Sequence, residues 1–286
     1  RISTSSSNTD IRRGSVASFF QAACAIPRLG GRLRMLPMPD LDLESQRRNG
    51  KRSRLSSGAS IAASIRFDFL RKVYALVAAQ VLFTAAVAIL AAHGPVARPL
   101  LRLLAAHPQL YGWGTLAATT LCLVALRVQK GRHPVNLSLL GGFTVLTSVS
   151  VAGACAAASA AGFGDAVMRS AIVTAALFAG ATLCAFRSKR DLSCLGAVLV
   201  PCTLALASFG LLSLLFPSLR TGLFSFLRCF AGALVFCAYV AFDTFRIMHR
   251  LGPDDYVEGA IQLYLDVVNM FLYVLELLVR AGKRDN

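Results

Sequence analysis

From residue 73 onward the chain alternates between long apolar blocks and short polar stretches. The blocks run 73–92, 110–126, 136–160, 168–186, 192–216, 222–242 and 256–279. Each comes close to the roughly 20 residues that a helix needs to cross the hydrocarbon layer. Their interiors are Ala, Leu, Val and Gly. Small residues such as Gly141, Gly142, Gly153, Gly232 and Ala233 let helix backbones approach closely. The pattern predicts an all-α membrane protein, a seven-transmembrane-helix bundle occupying residues 66–286. Residues 1–65 hold no apolar run of spanning length and are rich in Ser, Arg and Gly, which reads as a disordered basic arm. Its first 34 residues, nearly free of acid, also fit a mitochondrial presequence, and Met35 and Met38 are alternative starts. Arg12, Arg13, Gly14, Ser15 and Val16 form a pattern that suits a basophilic kinase, whose phosphate would weaken the arm's pull toward anionic lipid.

Composition agrees with a lipid solvent. The chain is 56% hydrophobic and 15% charged, with mean hydropathy +0.61, against about 25% charged in a soluble domain. A net charge of +16 raises nucleic acid as a partner. The basic residues, however, sit in the arm and between apolar blocks, where topology and the headgroups of a lipid bilayer account for them. No zinc-ligand spacing or aromatic-basic RNA signature accompanies them. The eight cysteines contain no CxxC pair and read as small buried hydrophobes. The four histidines, His93, His107, His133 and His249, form no HExxH. No cofactor and no enzymatic activity are expected.

Lys and Arg fall unevenly on alternate loops. Arg71 and Lys72, Arg127 with Lys130 and Arg132, Arg187 with Lys189 and Arg190, and Arg246 with Arg250 would share the cytosolic side. One conflict remains: seven crossings put Arg280, Lys283 and Arg284 on the other side, so the last segment either crosses fully or dips in and returns. The sequon at Asn136 falls at the cytosolic start of a span. Helix initiation after Pro134, without glycosylation, is the expectation there.

An ionisable group within a span costs at least about 2.5–3.5 kcal/mol, so it faces the bundle interior and has a task. Asp266 lies mid-block and Asp243 at the end of one. At 100° per residue, Glu258, Gln262, Asp266, Asn269 and Glu276 share an arc of about 80° on the last helix. Such a stripe serves either as hydrogen-bonding glue, at about 0.6 kcal/mol per contact, or as a lining for water or a cation. Two carboxyls brought together in low dielectric cannot both ionise cheaply and so share a proton, which makes a pH switch. Spacing alone does not bring Asp243 to Asp266. Arg246, one turn away, offers Asp243 an ordinary surface ion pair instead.

The segment AFDTFRIMHRLGPDDYVEGAIQLYLDVVNMFLYVLELL, with FDT at 242–244, DDY at 254–256 and LYLDVVNMF at 263–271, resembles the transmembrane Bax inhibitor motif (Bax-inhibitor, or lifeguard) family. RKVYALVAAQVLFTA at 71–85 and HPVNLSLLGGFT at 133–144 extend the resemblance upstream. The resemblance implies a seven-helix bundle with the last helix central. It also implies a pH-sensitive calcium leak gated by hydrogen-bonded Asp243 and Asp266, which would hold Ca²⁺ transiently. A basic latch would come from Arg127, Lys130 or Arg132. Protons and Ca²⁺ are then the partners, with membrane-bound cell-death regulators beside them. The protein would lower stored calcium and dampen cell death from endoplasmic reticulum or Golgi membranes, or from the mitochondrial inner membrane of the family's mitochondrial branch.

Two other readings compete. A non-conducting adaptor would bind death regulators or another channel through its helix faces. An intramembrane aspartyl protease also needs two span aspartates, and GFGD occurs at 162–165; but it precedes Asp243, and no PAL sequence follows.

Overall fold

The structure is a computed structural model. It describes residues 40–285 apart from 94–96, 130–131, 133, 189–190 and 217–221, with side chains from residue 63 outside short gaps at the helix ends. The chain divides into two compact units, 1–56 and 57–286, and the spans all belong to the second. The helices are α1 (Asp40–His93), α2 (Ala97–Ala106), α3 (Pro108–Val128), α4 (Val135–Ala160), α5 (Gly164–Arg187), α6 (Ser193–Leu215), α7 (Gly222–His249) and α8 (Tyr256–Asp285). Seven of them carry a segment long and apolar enough to cross a membrane: 63–92, 110–128, 135–160, 164–187, 193–213, 223–249 and 256–283. The protein is a multi-pass, all-helical membrane protein, as the block pattern predicts.

Residues 1–39, including the kinase pattern and the alternative starts, lie outside the described residues. Among the described residues the backbone is helical from Asp40 onward, whereas 40–65 is expected to be part of a disordered arm. No proline interrupts the chain between Pro39 and Pro95, and Asp40, Asp42 and Glu44 place negative charge at the helix start, where the backbone dipole favours it. Ten-residue α2 is too short to span; it fills the connection that carries Arg98 and Arg102.

The last helix shares the centre with α4. About half of the apolar stretch is buried in each (50% in α8, 56% in α4), against 6% in α3 and α6. The junction of α1, α4 and α8 is polar. Tyr264 is fully buried, and its hydroxyl lies 2.8 Å from Thr84 Oγ1, which also meets Ser148 Oγ at 2.9 Å and donates to Gln80 O. One turn along, Gln80 Nε2 donates to Thr144 Oγ1 at 2.9 Å. In hydrocarbon these groups have no water to turn to, so they bond one another and fix the rotation of α8 about its axis.

The polar connections assemble on one side of the bundle. Arg66 donates to Met248 O and, at 2.7 Å, to Leu251 O, serving carbonyls that the end of α7 leaves open. Arg250 pairs with Asp191 at 3.8 Å and bonds Ser193 Oγ. Asp191 accepts from the Ser193 hydroxyl and from its amide at 2.9 Å, which holds this exposed carboxyl below its ordinary pKa. At the far end of α8, Gly282 packs on the ring of Phe163 in the α4–α5 turn. α8 is one unbroken helix, long and apolar enough for a full crossing. At its basic end Arg280 pairs at 2.7 Å with Glu276, a carboxylate it shares with Arg228.

Two sequence expectations need correction. Gly141 and Gly142 have open space where a side chain would go, unlike Gly153 and Gly232, which take the rings of Tyr111 and Tyr273. Among the cysteines, Cys155 and Cys229 are buried, but Cys184 and Cys194 are exposed, because their helix faces turn outward. Replacing Tyr264 by Phe removes the hydroxyl at the triple junction. The expected cost is about 0.6–1.7 kcal/mol, read as a lowered Tm of the detergent-solubilised protein.

Candidate functional site

The consecutive antiparallel helices α7 and α8 meet along a seam whose polar contacts fall at three levels. In the middle are Asp243 and Asp266, each only 6% exposed. Their carboxyls stand within hydrogen-bonding reach of each other. Two carboxylates offer only acceptors, so a bond between them requires a proton on one. No described amide, hydroxyl or guanidinium donates to the buried Asp266 Oδ2. Thr244, next to Asp243, is fully buried and lies 3.3 Å from the Tyr74 hydroxyl of α1.

At the turn end of the seam Arg246, whose charge still acts on Asp243, reaches across to α8. It donates to Gln262 Oε1 at 3.1 Å and to Glu258 Oε1 at 3.3 Å. At the opposite end Arg228 grips both oxygens of Glu276, at 2.6 and 2.7 Å, while Arg280 holds the same carboxylate from one turn further along α8. The Arg228 guanidinium lies 5.7 Å from the centre of the Tyr273 ring, and that ring fills the space left by Gly232.

The sequence profile described as "Inhibitor of apoptosis-promoting Bax1" matches residues 66–284. The chain is 35% identical over 228 residues to "Protein lifeguard 4" of Mus musculus, covering 79% of this chain and 90% of that protein. It is 36% identical over 231 residues to a "Golgi anti-apoptotic protein" of Vaccinia virus, covering 80% and 92%. It is also 33% identical over 245 residues to "Protein LIFEGUARD 4" of Arabidopsis thaliana, covering 84% and 95%. The chain belongs to the Bax-inhibitor (lifeguard) family.

In this Bax-inhibitor family member the expected stripe on α8 is divided among partners. Glu258 and Gln262 take Arg246, Asp266 takes Asp243, and Glu276 takes Arg228 and Arg280. Asn269 instead donates to Leu265 O of its own helix, at 2.8 Å. The three latch candidates separate. Arg127 borders a cleft of about 30 Å³ together with Asn136, Asp254, Glu258 and Gln262. Arg132 is exposed in the turn before α4, and Lys130 lies outside the described residues. The cation that does span the seam beside the pair is Arg246.

Asp165 of the GFGD sequence is 93% exposed, with Arg169 at 3.9 Å, and does not join either seam aspartate. No group of three His, Cys, Asp or Glu that could hold a metal occurs among the described residues. Arg228 was the residue to miss: it is an ionisable group inside the 222–242 block, and the cost reasoning that singles out Asp266 applies to it equally. Glu276→Gln leaves two half-buried guanidiniums facing each other. After discounting for their partial exposure, the expected loss is about 2 kcal/mol, larger than for Arg228→Gln, which leaves Glu276 paired with Arg280. Thermal unfolding of the two variants side by side checks the order.

Proposed function

We propose that this protein is a proton-regulated calcium leak of an intracellular membrane and that Asp243 and Asp266 are its pH sensor and gate. The observation that carries the reading is the buried contact between the two carboxyls at the middle level of the α7–α8 seam. With one proton between them the pair bonds and the seam stays shut. As pH rises and that proton leaves, two like charges face each other in low dielectric, and their repulsion loosens the seam. The same event bares carboxylate oxygens, the hard ligands that Ca²⁺ prefers. Calcium is thus cargo, held only in passing by Asp243 and Asp266.

The end-level ion pairs fit the same mechanism as hinges. Arg246 with Glu258 and Gln262, and Arg228 with Glu276, hold the helix ends in register while the centre loosens. Arg127, beside Glu258 and Gln262, serves as a reserve cation at the turn end. Relatives named "Golgi anti-apoptotic protein" support an endomembrane location and a role in restraining cell death.

Purified protein in calcium-loaded liposomes tests this. The wild type is expected to leak faster as pH rises through the titration of the pair. Asp243→Asn and Asp266→Asn each place a permanent N–H donor against the remaining carboxylate, so both should flatten the pH response. An unchanged pH response in both variants contradicts the gate. Absence of any flux from folded wild-type protein contradicts the leak itself.

A further inference from the structure

A cavity of about 650 Å³ lies between α1, α5 and α8, beside the seam and separate from it. None of its wall residues is charged. Its walls carry three side-chain hydroxyls: that of Thr84 is spent on Ser148 and Tyr264, that of Tyr74 on Thr244, and that of Thr174 is buried without a partner. Two of its walls are surfaced by alanines, Ala78 and Ala85 on α1 and Ala171 and Ala175 on α5. These spacings of seven and four put each pair on one helix face. In a membrane, small faces normally let two helices close on each other. Here they stand apart across a gap as large as a small-molecule site, about 300–1,000 Å³.

The chemistry of the gap limits what fills it. Water needs two to four polar partners, and the single unpartnered hydroxyl of Thr174 does not supply them. An empty gap forfeits the dispersion contacts of every wall atom. At the rim, Ile89 and Met168 are 53% and 60% exposed and belong to the apolar spans, so the opening looks onto bilayer hydrocarbon. We infer that this cavity is a binding site for one acyl chain of a surrounding phospholipid, which enters sideways between α1 and α5. The chain packs against Val267 and Phe271 of α8 and against Tyr74 of α1. It therefore touches the helix that carries Asp266 and the side chain that bonds the neighbour of Asp243. The site does not rest on the calcium reading, and its test does not use flux.

Full-length protein in nanodiscs containing phosphatidylcholine with a mid-chain diazirine would be photolysed and its peptides mapped by mass spectrometry. Strong labelling is expected around 78–85 and 171–175, above that on the outer face of α6 near Leu204 and Leu211. In the double variant Ala85→Phe with Ala171→Phe, labelling of the walls should be lost while that of α6 persists. Ala171→Leu, a gentler filling, should reduce it in part, and the comparison of walls with α6 in the wild type is decisive even where the double variant does not fold. Wall labelling no stronger than on α6, or unchanged on filling, would show only annular lipid and overturn the site. Preferential labelling by a diazirine sterol in place of the acyl probe would overturn the assignment of its occupant.

Discussion

Hydrocarbon gives no partner to a charge, and the seam between α7 and α8 is built around that constraint. Among the described residues, Arg228 and Arg246 of α7 each meet a carboxylate of α8, and Asp243 faces Asp266. The two ends use unlike charges, an arginine of α7 against a carboxylate of α8. The middle uses like groups, and two carboxyls can lie together in such a place only if they share a proton. The guanidiniums at the ends keep their protons across moderate pH, while in the proposed gate the centre titrates. A seam with fixed ends and a titratable middle can change state without coming apart.

The rest of the bundle holds that seam in place. The hydroxyl and amide contacts among Gln80, Thr84, Thr144, Ser148 and Tyr264 set the rotation of α8 and so aim Asp266. Arg66 ties α1 to the end of α7, and the Gly232–Tyr273 contact sets the spacing of the two seam helices at the far end. Neutral hydrogen bonds set the rotation of α8, and ion pairs line its interface with α7. The acyl-chain cavity abuts this frame from the lipid side, against both Tyr74 and α8.

Much of this was legible in the sequence because the bilayer imposes a length and a polarity that show directly in the residue pattern. The seven spans and the alignment of Glu258, Gln262, Asp266 and Glu276 follow from hydropathy and a 3.6-residue repeat. What one helix's periodicity cannot contain is the identity of the group opposite. Asp243 and Arg246 stand three residues apart with equal opportunity to pair, and only the packing of α8 sends Arg246 to Glu258 and Gln262 and leaves Asp243 to Asp266. Arg228 was visible but hidden among apolar neighbours, and its partner lies 48 positions away. Residues 40–65 read as an arm by composition, and composition alone does not show that their backbone is helical.

The account turns on one proton. Infrared difference spectroscopy on protein carrying ¹³C-labelled aspartate in lipid would observe it directly, as the stretch of a protonated carboxyl. The prediction is a single protonated aspartate in the closed state, absent from both Asp243→Asn and Asp266→Asn and lost in the wild type over the same pH interval in which the seam loosens. A wild-type spectrum with all aspartates ionised throughout that interval would contradict it.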